Sequence, residues 1–153
     1  MRSVRTAEYK YIRNYLNERP HLQPNRYKDG KTIVQKLREL HAAKQLNELQ
    51  EKLLFSPTRP AEELYDLAAD PNELTNLATD PKYKSTLEAM RKKLADWEEK
   101  TGDRGRKPEP MEMYDSDMKV YLGAGAKKKK QNDRDEELRR NIELNKAWAK
   151  QGK

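Results

Sequence analysis

Cysteine is missing from this 153-residue chain, so thiolate metal sites, disulfides and a cysteine nucleophile are all excluded within it. Histidine is nearly missing too. Two imidazoles, His21 and His41, offer no pair at a metal-binding spacing and no Ser-His-Asp order. There is no glycine-rich phosphate loop and no HExxH. Bulky aliphatics are scarce: 17 Leu, 3 Ile, 3 Val and 1 Phe make 24 of 153 residues. That lies below the roughly 20% at which a chain has trouble burying enough apolar surface. Either part of the chain is disordered or part packs on something outside it, although eight Tyr and two Trp add large apolar bodies. No apolar run approaches the ~20 residues of a membrane span, so no membrane partner is expected. MRSVRTAEY lacks the apolar centre of a secretory signal, so the chain as it stands is expected in the cytoplasm.

What is abundant is charge, and it is mixed: 26 acids accompany 33 bases, for a net +7. The excess is concentrated. Residues 1–31 carry eight Lys/Arg against Glu8, Glu18 and Asp29, a surface suited to an anionic partner. Lys127 to Lys130 form a second run, but Asp133, Asp135, Glu136 and Glu137 follow at once and largely cancel it, as in a solvated linker.

Arg2 to Tyr15 alternates as a two-stranded antiparallel unit with a turn at Thr6-Ala7-Glu8. Leu16 to Gly30 reads as a loop, and His21 lies in it. Ile33, Val34, Leu37 and Leu40 recur at helical spacing over Lys31 to Ala43, with Thr32 as cap; a second helical stretch runs from Leu46 to Phe55. Ser56 to Pro60 is a proline connector. Glu63 to Asp66 supplies a third strand. Asp66 closes it in an Asx turn, Asp70-Pro71 reads as a helix start with Glu73 completing a capping box, and Asp80-Pro81 launches a longer helix. Tyr83, Leu87, Met90, Leu94 and Trp97 form the stripe of that helix, about residues 81–101, stopped by Gly102. Beyond it, Met111 to Leu122 is irregular, Gly123 to Ala126 is linker-like, and Asp133 to Gln151 is a weak terminal helix. The fold class expected is α+β: a small antiparallel sheet with packed helices over residues 1–110, then a partly disordered or helical tail over 111–153.

These residues describe a binding or accessory module and not a self-contained enzyme. VRTAEYKYIRNY, then RPAEELYDLAADPNELTNLATDP, then a helix ending near Trp97, resembles the C-terminal subdomain of sulfatases. It is most similar to the branch related to heparan N-sulfatase (N-sulfoglucosamine sulfohydrolase). The resemblance runs from about Arg2 to Pro110. It implies a subdomain packed against a separate α/β catalytic domain, which holds a formylglycine made within C/S-x-P-x-R and a divalent metal, usually calcium. Neither motif is in this chain, since Phe55-Ser56-Pro57-Thr58-Arg59 places Phe55 where the modifiable residue must stand. No catalytic residue, metal ligand or cofactor is therefore assigned, and the chain alone is expected to be inactive. The resemblance further implies a sulfated glycan as the parent's ligand, with Arg13, Arg19 and His21 as candidates at the edge of its cleft. It also implies an exported, periplasmic or lysosomal setting, and a missing domain covering the stripe of the long helix and one sheet face. Asp66, Asp70, Glu73 and Asp80 are assigned to capping and turns. The alternative is a stand-alone basic module that binds an anionic partner such as nucleic acid, which the mixed charge disfavours.

Overall fold

A computed structural model describes residues 1–122 and 129–153. They divide into two compact units, residues 1–17 with 59–107 and residues 18–58 with 108–153.

The first unit is built on a three-stranded antiparallel sheet of order β1-β2-β3: β1 Arg2–Arg5, β2 Tyr9–Arg13 and β3 Glu62–Asp66. Thr6 closes the β1–β2 hairpin, its Oγ1 accepting from the Tyr9 amide at 3.0 Å. The register places Val4, Tyr11 and Leu64 in one row across the sheet. That row is the apolar face. It meets Leu87, Met90 and Leu94 of α4, Lys84–Thr101, and these six side chains with Tyr9, Leu77, Ala78 and Tyr83 make the core. Gly102 ends α4 in the left-handed conformation at φ 64°, where a residue without Cβ is unstrained.

The stripe of α4 is thus completed by the chain's own sheet, which overturns the expectation that it faces a missing domain. It also ends differently. Trp97 remains 45% exposed while Glu98, one position later, is 6% exposed, because the +4 step from Leu94 stays on the buried face.

The outer edge of β3 is covered by the segment that follows it. Asn76 accepts from the Leu64 amide and donates to the Glu62 carbonyl, both at 3.0 Å, and the Leu77 amide donates to the Leu64 carbonyl at 2.8 Å. The exposed amides of an edge strand are satisfied in this way without a fourth strand.

No helix begins at Asp70-Pro71. The Asp70 carboxylate accepts from Leu74 and Thr75 at 2.7 Å each, and Glu73 takes φ 55°, which breaks a helical path. Glu73 does not return to the Asp70 amide; its side chain pairs with Lys10 on β2 at 2.5 Å. Asp66 accepts from the amides of Ala68 and Ala69, and Asp80 from that of Lys82 at the start of a 3₁₀ turn, Pro81–Tyr83, that leads into α4.

In the second unit, α1 (Arg26–Asp29) is a single turn capped by Asn25, within the stretch expected to be loop. Helix α2 spans Thr32–Ala42; Lys31 stands at its N-cap, so Thr32 is the first helical residue and not the cap. Lys44 at φ 55° breaks the chain before α3, Glu48–Gln50, which continues as a π-helical turn over Glu51–Phe55. Residues expected to be irregular form α5, Met111–Leu122, and the terminal helix α6 runs over Lys129–Lys150. Helix α6 contacts α1 and α5, and its Leu138 and Ile142 are buried. Gly123 to Ala126, and the first two lysines of the 127–130 run, lie outside the described residues.

Candidate functional site

Within the described residues of the first unit, a cleft of about 540 Å³ lies between α4 and the sheet. Two carboxylates lie at its base. Glu62, the first residue of β3, is clasped by Arg91 of α4 through Nε at 2.7 Å and Nη2 at 2.5 Å, and it accepts from the Tyr11 hydroxyl at 2.6 Å. Arg13 of β2 approaches the same carboxylate at 3.3 Å. Glu98 accepts from the Tyr15 hydroxyl and from Nε and Nη2 of Arg106. Leu94 and Ala95 complete the lining.

The local fold explains the convergence. Arg91, Leu94 and Glu98 fall at helical spacing on one side of α4, and the alternation of β2 puts Tyr11, Arg13 and Tyr15 on one side of the strand. The turn after Gly102 brings Arg106 back. It is anchored by Asp103, which accepts from Arg2 through Nε and Nη2 at 2.9 Å each and from the Gly105 amide at 2.8 Å.

Electrostatics fix the protonation of the base of the cleft. The fork of Arg91 holds the Glu62 carboxyl down to about 2 against the opposing effect of burial, and the Tyr11 hydroxyl and Arg13 add to the fall. Burial would raise Glu98, but Arg106 and Tyr15 together outweigh it and leave that carboxyl below its ordinary value. Tyr11 is pushed up to about 12 by burial and by its bond to Glu62, so it remains a neutral donor. Burial raises Tyr15 as well. Both carboxylates are therefore anions near neutral pH, each neutralised by a guanidinium. Neither is poised as a general acid or base.

The residues singled out from sequence are not assembled in one place. Arg13 lines the cleft. Arg19 belongs to the second unit, where it is buried, donates to the Lys153 carbonyl at 2.7 Å and lies over the Trp148 ring at 5.4 Å. His21, also of the second unit, is exposed in a bend. Glu62, Arg91, Glu98 and Arg106 were not singled out. One signal marked Glu98: a carboxylate in phase with Leu87, Met90 and Leu94 has to be buried with a partner. Among the described residues no three His, Asp or Glu side chains are grouped to hold a metal ion, and the cleft's carboxylates are already occupied by guanidiniums. No helix among the described residues is long and apolar enough to cross a membrane.

No protein-family model matches the chain. Among individual proteins, it is 40% identical over 109 residues to an ulvan-active sulfatase of Formosa agariphila, which covers 71% of this chain and 18% of that protein. A second ulvan-active sulfatase of the same organism is 38% identical over 102 residues, covering 67% of this chain and 18% of the relative. The human N-sulphoglucosamine sulphohydrolase is 51% identical over 41 residues, 27% of this chain and 8% of that enzyme. The chain therefore spans less than a fifth of the length of these curated relatives.

Proposed function

We propose that this chain, which belongs to the sulfatase family, has the role of bracing a catalytic domain and shaping the edge of a sulfated-glycan cleft as the C-terminal part of such an enzyme. The observation that carries this reading is 40% identity to a sulfatase over 109 residues, joined to a sheet-and-helix unit whose cleft carboxylates are each held by a guanidinium. The human relative, 51% identical over a short stretch, supports the branch related to heparan N-sulfatase. The nucleophile and the calcium belong to the catalytic domain.

Leu87, Met90 and Leu94 of α4 are already covered by the chain's own sheet. Ile33 is 72% exposed, Leu49 and Leu53 are exposed as well, and none of the residues of α2 is buried. These apolar faces of residues 32–55 are the better docking surface, since packing them on a partner would remove from water what the chain itself leaves wet.

Reading the DNA upstream of the Met1 codon tests the assignment. A catalytic domain containing C/S-x-P-x-R is expected there, in the same frame or shifted from it. The purified chain, with calcium added, is expected not to hydrolyse a sulfated glycan, and turnover would contradict the reading. Binding to nucleic acid that weakens steeply with salt, with no such domain upstream, would favour the stand-alone module instead.

A further inference from the structure

Three guanidiniums surround two carboxylates in the cleft, which leaves one net positive charge there. The carboxylates are sheltered, Glu62 at 18% and Glu98 at 5% side-chain exposure, while Arg13, Arg91 and Arg106 are 40%, 46% and 62% exposed. The bonds of Arg91 to Glu62, and of Arg106 to Glu98, use Nε and Nη2. Among the described residues no carboxylate is bonded to Nη1 of either, and the Tyr11 and Tyr15 hydroxyls are the other polar groups beside them. A guanidinium clamped on one edge is held in place for an oxyanion on the other, so little side-chain freedom remains to be lost on binding. Arginine at all three positions suits planar, two-pronged contact with a sulfate or carboxylate, where lysine would offer a mobile point charge.

We propose that this cleft is an oxyanion-binding site in which Arg13, Arg91 and Arg106 hold a sulfate group, with Tyr15 and Ala95 against the body that carries it. The volume, about 540 Å³, is in the range of small-ligand sites and exceeds what a bare ion needs, so a sulfate ester on a saccharide is the ligand it fits. The saccharide rests on the sulfatase reading. The anion chemistry stands on the geometry of the cleft alone.

The test is titration of the whole chain, followed by calorimetry and by amide and arginine Nε chemical shifts. The probes are an O-sulfated N-acetylglucosamine disaccharide, its desulfated counterpart and sodium sulfate. The sulfated sugar is expected to bind about tenfold or more tighter than the desulfated one, with shifts at Tyr15, Arg91 and Arg106. R13Q leaves Glu62 its Arg91 partner, and R106K keeps the charge beside Glu98; each is expected to weaken binding at least about fivefold in a chain that melts normally. K92Q, on an exposed part of α4, should change nothing. Sodium sulfate binding as tightly as the disaccharide would keep the oxyanion site and make the free ion its ligand. Equal affinity for both sugars with no sulfate binding, shifts outside the cleft, or an equal loss in K92Q would overturn it. Because the readout is binding to this chain, its failure leaves the upstream-domain test untouched, and the reverse holds too.

Discussion

Two stretches of this molecule carry the same helical signature and end in opposite states. In α4 the apolar positions Leu87, Met90 and Leu94 are buried against Tyr11 and Leu64. In residues 18–58, Ile33, Leu37, Leu40, Leu49, Leu53 and Leu54 recur at comparable spacing, yet no apolar side chain of that stretch is buried among the described residues. Periodicity says which face of a helix is apolar. It does not say whether the same chain supplies the surface that covers it. Among the described residues the strands Arg2–Arg5, Tyr9–Arg13 and Glu62–Asp66 supply one for α4, whereas in the second unit Leu138 and Ile142 of α6 are buried and no residue of α2 is.

The largest effect that sharpens this contrast is expected from Leu94→Ala. Deleting a buried leucine costs about 2–5 kcal/mol through lost transfer energy and the cavity left behind, read by denaturant unfolding. A loss below about 0.5 kcal/mol would mean that α4 is not held by the sheet. Acid should act next. Glu62 has a folded value of about 2 against an ordinary 4.5, so its contribution is fully present above about pH 4.5 and disappears as pH falls through about 2. Glu62→Gln should remove that acid limb and cost about 1–3 kcal/mol near neutral pH, for it leaves Arg91 and Tyr11 without their carboxylate. Gly105→Ala should cost about 1 kcal/mol, because its Cβ would fall 2.5 Å from the Arg2 guanidinium and push it off Asp103. Retention of the Arg2 Nε shift in that variant would contradict the contact. Ile33→Ala should move the melting transition least, within about 0.5 kcal/mol. A loss of several times that amount would break the comparison, by showing that α2 is buried in solution.

The sheet and α4 were legible in the sequence because local signals and tertiary packing agree there: alternation over Arg2 to Arg13, the short ELYD strand, and apolar residues every three or four positions after Asp80. Other features were decided by partners far along the chain. Asp70 to Glu73 has the residues of a capping box, but Lys10 on β2 draws the Glu73 carboxylate away and no helix follows. Trp97 and Glu98 both continue the stripe by spacing, and hydrophobicity alone favours Trp97. Tyr15 and Arg106 reverse that choice by giving the Glu98 carboxylate donors inside the fold. The cleft is harder still to see, since its residues come from β2, β3, α4 and the turn beyond it, and only Arg13 stood out by its place in a basic segment. Arg19 illustrates the converse, a basic residue whose guanidinium is turned inward to a backbone carbonyl and an indole.

The most direct test of the account is native-state amide hydrogen exchange on the whole chain, resolved by residue. Strands β2 and β3 with α4 should exchange slowest and together, at the rate of global unfolding, while the amides of Thr32 to Phe55 exchange orders of magnitude faster through local opening. Equal protection of the two stretches would contradict the claim that the sheet and α4 form a self-sufficient core while the apolar positions of residues 32–55 are left open by the described residues.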